Sequence, residues 1–144
     1  MAKAYVDGSY NVKTKRFGYG VVLFTDSVNE DGSPEIIKLS KGFSEPELAE
    51  MRNVAGEIMG AAQAMKSAAA RKLPELVIYH DYEGIAKWCT GEWKAKKKWT
   101  QKYKSFYEEM SRHLKISFIK VEAHSGDVYN DMADMLAKQA VGND

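Results

Sequence analysis

Cysteine is nearly absent from this chain: Cys89 is the only one in 144 residues. That excludes an internal disulfide and any metal site built on cysteines. Long apolar runs are missing too. None approaches the ~20 residues that span a bilayer, and no basic-apolar-small leader opens the sequence. Charge of one sign is not in excess either. Lysine and arginine number 21 against 20 acids, a formal net charge of +1, so global charge selects no partner. Repeats and low-complexity linkers are also lacking. A hydrophobic fraction of 44% and a charged fraction of 28% are ordinary for a soluble globule. The expectation is a single domain over 1–144, monomeric, without a membrane partner, in a reducing cytoplasm.

Charge is unevenly distributed. Between Lys94 and Lys104 there are six lysines and no acid, interleaved with Trp99 and Tyr103 and preceded by Trp93. This is a lysine-rich face for phosphates or a solvated helix surface. Trp88, Trp93 and Trp99 are expected to anchor in the core.

The hydrophobic pattern predicts strands over 3–7, 18–24 and 35–43, joined at hairpin distances into an antiparallel meander. The next stretch is helical. Leu48, Met51, Val54, Ala55, Ile58, Ala62, Met65 and Ala69 recur at three- and four-residue steps, Pro46 suits a first turn, and Asn53 suits the start of the main helix. A strand over 75–81, helices over 83–90 and about 100–113, a strand over 115–121, a loop through "EAHSGDVYN" and a helix over 131–140 complete the order. Strands first in a meander and then alternating with helices give a mixed sheet in an α/β domain.

Two of the strands run into aspartates, Asp7 in "AYVDGSY" and Asp81 in "ELVIYHD". Parallel pairing of strands 1 and 4 sets both at one sheet edge, where open α/β sheets place their sites. The sequence around Asp7 reads as a strand that ends on the acid and turns at Gly8-Ser9. Glu57 lies at the margin of the long helix's buried face, and Asp134 lies beside the Ala133/Leu136/Ala137 face of the last helix. Asp131, one turn earlier, competes with Asp134 as a ligand. Four carboxylates converging on one point suit hard divalent cations, and a pair of such ions supports in-line phosphoryl displacement.

In this order, "YVDGSY", "RNVAGE", "IYHD" and "EAHSGDVYNDMADMLAKQA" resemble type 1 ribonuclease H over essentially the whole chain. The resemblance implies a ribonuclease H-like α/β fold: a five-stranded mixed sheet of order 3-2-1-4-5, its first three strands antiparallel, with helices on both faces. It implies two Mg²⁺ ions, with Mn²⁺ as a substitute, and hydrolysis of the RNA strand of an RNA–DNA hybrid to 5′-phosphate and 3′-hydroxyl ends. Asp7, Glu57, Asp81 and Asp134 take the places of the family's metal-binding catalytic acids, and His124 that of its mobile-loop histidine.

Recognition of RNA requires contact with 2′-hydroxyls across a shallow minor groove. Gly8, Ser9, Asn11 and Asn53 are the expected contacts there, with Arg52 and Lys96, Lys97 and Lys98 on phosphates. The chain departs from the family pattern at Val54, where a second asparagine is common, and at Glu83, where a glutamine is common. His80 and His113 match no motif and read as packing or surface residues. The competing classes are a hybrid-binding module without catalysis and a different nuclease on the same fold.

Overall fold

The computed structural model describes residues 1–122 and 126–143. Strands β1 (Ala2–Asn11), β2 (Arg16–Val28) and β3 (Pro34–Phe43) form the meander. Helices α1 (Pro46–Ala49) and α2 (Asn53–Ala70) follow. Then come β4 (Glu75–His80), α3 (Gly84–Thr90), α4 (Lys98–Met110), β5 (Lys115–Lys120) and α5 (Val128–Val141). The sheet order is β3-β2-β1-β4-β5. Pairs β1–β2 and β2–β3 are antiparallel, and β1–β4 and β4–β5 are parallel. This is the expected fold.

Alternation along β1 divides two cores. Ala2, Ala4 and Val6 join Val21, Leu23, Met65, Ile78 and Ile85 beneath α2, α3 and α4. Tyr5 faces the other side, with Val22, Phe24 and Ala133 of α5. Fully buried side chains such as Leu23, Met65 and Ile78 contribute roughly 1.5–3 kcal/mol each. Among the described residues no helix is long and apolar enough to cross a membrane.

Several expected boundaries differ, among them β2, which runs over Arg16–Val28 rather than 18–24. β1 does not end at Asp7 and Gly8-Ser9 is not a turn: Asp7 pairs with Gly20, Gly8 with Tyr19 and Ser9 with Gly18, and the ladder runs on to Asn11. A strand's length is set by its partner, and β2 continues. α4 starts at Lys98, where the Thr100 hydroxyl accepts from the Lys97 amide and donates to its carbonyl. α5 starts inside the expected loop, because the Asp127 carboxylate accepts from the amides of Tyr129 and Asn130 and caps the helix. The helical stretch after Pro46 breaks at Arg52, whose φ of +53° separates α1 from α2.

Candidate active site

The site forms where two strands part. β1 and β4 stay paired through Tyr5 and Tyr79, after which β1 continues along β2 alone. Beyond that point β1 and β4 are no longer paired, and a gap opens between them. Asp7 stands on β1 in the gap, and Asp81 directly follows the end of β4. Such a divergence at the carboxyl end of a parallel pair is the usual location of a site in an open α/β sheet.

Close helix approach brings the other two acids in. A β-carbon on Gly8 would lie 2.1 Å from the Asn53 carbonyl oxygen and 2.4 Å from the Glu57 nitrogen, and one on Gly56 would lie 1.9 Å from the Gly18 carbonyl oxygen. Bare backbone there lets the first turns of α2 rest on β1 and β2, with Glu57 over the gap. On the other face, a β-carbon on Gly20 would lie 2.1 Å from the Ala133 carbonyl oxygen, so α5 reaches the sheet beside Asp7. The side chain of Asp134 there meets that of Asp7.

Carboxylate oxygens of Asp7, Glu57 and Asp81 all lie within 4.8 Å of one another. Glu57, expected at the margin of the buried face, is fully buried at 2% exposure, and Asp7 is 8% exposed. Burial first, then the charges of Asp81 and the neighbouring Asp134, push the Asp7 carboxyl up from 3.8 to about 8. Burial, then Asp81 and Asp7, hold Glu57 well above the usual carboxylate range. Polar contacts offset little of this. The Gly8 amide donates to Asp7 Oδ1 at 2.9 Å, and the Asp81 amide to Glu57 Oε1 at 3.3 Å. Among the described residues none of the three acids has a salt-bridge partner. Asp134 is not one of these three mutually close acids: it neighbours Asp7 alone and also pairs with Lys138 Nζ at 2.9 Å. Lys138 was not singled out from sequence, although its position four residues after Asp134 on one helix face is the signal for it.

The remaining candidates are dispersed. Ser9 is buried in β1, its hydroxyl 3.4 Å from the Asn143 carboxamide. Asn11 is engaged within the fold: its Nδ2 donates to the Val141 carbonyl at 2.8 Å, and its Oδ1 accepts from the amides of Lys13 and Thr14. Asn53 opens α2 and is exposed, as is Arg52, whose guanidinium lies 5.4 Å over the Tyr10 ring. Lys96 and Lys97 join Lys94 along a groove lined by Met51, Val54, Tyr82, Trp88 and Thr100, beside the start of α2. Lys98 turns away, toward Glu47 at 3.8 Å and the Trp99 ring. Trp88, Trp93 and Trp99 all pack on apolar clusters. Glu83 is turned onto its own helix, where Lys87 donates to it at 2.7 Å. His124 lies outside the described residues.

Comparison with known proteins agrees with this geometry. The family model for RNase H matches residues 2–142. A ribonuclease H of Chlorobium phaeobacteroides is 28% identical over 151 residues, covering 96% of this chain and 94% of that protein. One of Prosthecochloris aestuarii is 25% identical over the same shares. Among solved structures, RNase H1 from the archaeon Halobacterium salinarum superposes with a TM-score of 0.76 at 20% identity, covering 99% of this chain and 98% of that one. LC11-RNase H1, solved in complex with an RNA/DNA hybrid, superposes with a TM-score of 0.76 at 19% identity, covering 99% and 97%. The structural likeness speaks for the fold; the match to the family model over nearly the whole chain, on a sheet edge carrying the acid cluster, places this protein in the ribonuclease H family as a type 1 endoribonuclease.

Proposed function

We propose that the chain hydrolyses the RNA strand of RNA–DNA hybrids with two divalent ions, leaving 5′-phosphate and 3′-hydroxyl ends. It does so as a single-domain monomer in the cytoplasm. The observation that carries the reading is the convergence of Asp7, Glu57 and Asp81, with oxygens within 4.8 Å, two of them buried and none ion-paired among the described residues. Carboxylates so placed repel one another unless a cation lies between them. An all-oxygen donor set suits Mg²⁺, with Mn²⁺ as a substitute. The fit is therefore good, and Asp134 completes the set from the Asp7 side. When bound, a pair of such ions lowers the pKa of a water and stabilises the leaving oxygen.

The chain's own groups do the rest. Asp7, Glu57, Asp81 and Asp134 hold the ions, and Lys138 keeps the Asp134 carboxylate aligned. His124 carries a proton toward the departing product. Gly8, Ser9 and Asn53 stand along the edge where 2′-hydroxyls would be read, while Asn11 contributes by holding the end of α5. Arg52, Lys96 and Lys97 bind phosphates, and Lys98 adds to the positive field from the start of α4. The hybrid bound by LC11-RNase H1 supports this substrate.

The test is a panel of end-labelled RNA–DNA hybrid, single-stranded RNA, RNA duplex and DNA duplex, in Mg²⁺ and in chelator. Cleavage confined to the RNA of the hybrid, dependent on metal, with fragments that a polymerase extends directly, is expected. Metal-independent cleavage, or fragments with blocked 3′ ends, would overturn the mechanism. Hybrid bound without cleavage would leave a binding module instead.

A further inference from the structure

Asp81 is the acid of the cluster with the least regular support. It lies past the last β4 residue and before the first turn of α3, yet its carboxylate must meet those of Asp7 and Glu57. We propose that His80 is the positioning residue that holds Asp81 in place. The inference rests on the reading of the cluster as a metal site.

The His80 side chain is buried at 1% exposure. Its Nδ1 lies 2.9 Å from the carbonyl oxygen of Tyr82. A carbonyl can only accept, so Nδ1 carries the hydrogen and donates. The bond spans residue 81 from side chain to backbone and closes a small ring around it. The same carbonyl accepts from the Ile85 amide at 3.1 Å, which ties the ring to α3. On the other side, the His80 carbonyl accepts from the Val121 amide at 2.8 Å, just past the end of β5. The ring plane is set by Phe118, edge-on at 5.9 Å and 81°. His80 thus fixes Asp81 from both flanks with one buried donor and one backbone acceptor. A purely packing residue would need neither the donor nor its direction.

Substitutions separate the two roles. His80→Leu keeps an apolar body of similar bulk and removes the donor. His80→Asn places an amide nitrogen near the position of Nδ1 and restores the donor with less bulk. Groups that orient metal ligands from outside typically change metal affinity or activity by about 10–100-fold. Two readouts are taken on each variant, after circular dichroism establishes folding: Mn²⁺ affinity by electron paramagnetic resonance, and kcat and KM on a hybrid.

The expected result is Mn²⁺ affinity weakened about tenfold and kcat lowered about 10–100-fold in His80→Leu, with KM for the hybrid within about twofold of wild type. His80→Asn recovers most of both losses. If His80→Leu binds Mn²⁺ and turns over as wild type does, the inference fails. It also fails if Leu and Asn variants lose equally, because bulk and not the donor is then what matters. If His80→Leu does not fold, wild-type Mn²⁺ affinity in His80→Asn supports the inference and a tenfold loss there overturns it. Wild-type protein that binds no Mn²⁺ overturns the metal-site reading itself, a result distinct from any of these.

Discussion

Asp7→Asn is expected to make the metal-free protein more stable while destroying its activity. The Asp7 carboxyl is carried from 3.8 to about 8, chiefly by burial and then by Asp81 and Asp134. The sign follows from linkage. Below about pH 4 the group is protonated in folded and unfolded chains alike, and it carries no penalty. As pH rises toward 8, the unfolded chain ionises and the folded one resists, so stability falls by up to about 1.4 kcal/mol per pH unit. At pH 7 that amounts to roughly 4 kcal/mol at most. Asparagine removes the charge and still accepts from the Gly8 amide, which meets Oδ1 at 2.9 Å in the wild type. Asp7 titrates together with the acids around it, so part of that figure belongs to the group as a whole, and about 2–3 kcal/mol is expected at pH 7. For a chain of this length the melting temperature should rise by roughly 6–12 °C. The assay is thermal or urea unfolding in chelator at pH 4, 5.5, 7 and 8. The gain should be near zero at pH 4 and grow toward pH 8. Added Mg²⁺ should narrow it, since the wild type then gains the binding energy of the ions. A variant no more stable than wild type at pH 7–8, or a gain independent of pH, would mean that the Asp7 carboxyl carries no burial penalty.

Other perturbations test the parts that build the site. Gly20→Ala puts a β-carbon 2.1 Å from the Ala133 carbonyl oxygen; unfolding should show a loss of about 2–3 kcal/mol, and cleavage should fall as α5 shifts Asp134 from Asp7. Arg52 holds a φ of +53°, so Arg52→Gly should be about 1 kcal/mol more stable than Arg52→Ala in urea, although both lose the guanidinium. The Lys96→Ala/Lys97→Ala double variant should raise KM with kcat unchanged, and the slope of log affinity against log salt should flatten by about 2, one for each phosphate that a lysine no longer neutralises.

Much of this arrangement is legible in sequence, for local reasons. The apolar alternation of β1, the long periodic face of α2 and the placement of acids after apolar runs are written into short stretches. The sheet order rests on the resemblance and on how strands 1 and 4 must pair. What the sequence did not disclose depends on partners remote along the chain. Asp7 looks like a strand end because Gly8-Ser9 looks like a turn; the pairing of β1 with Gly18, Tyr19 and Gly20 overrides that local preference. Glu57 looks marginal on a helical wheel and is buried because Gly8, Gly18 and Gly56 remove the side chains that would hold α2 away. The α5 boundary was masked by a run that reads as loop, although Asp127 is a good N-cap. His80 shows no helical or strand signal for function, since its role lies in a bond to a carbonyl two residues on.

In the proposed function the buried carboxylates act together as the centre for cutting RNA in a hybrid. The decisive assay is single-turnover cleavage of an RNA strand, labelled at its 5′ end and annealed to DNA, in Mg²⁺ at pH 8. Wild type and Asp7→Asn are run side by side, and folding of the variant is established beforehand. The wild type is expected to cut the RNA and the variant to cut it at least 100-fold more slowly, because even groups that only orient metal ligands can cost about that much. A well-folded Asp7→Asn that cuts at close to the wild-type rate would contradict this role of the carboxylates.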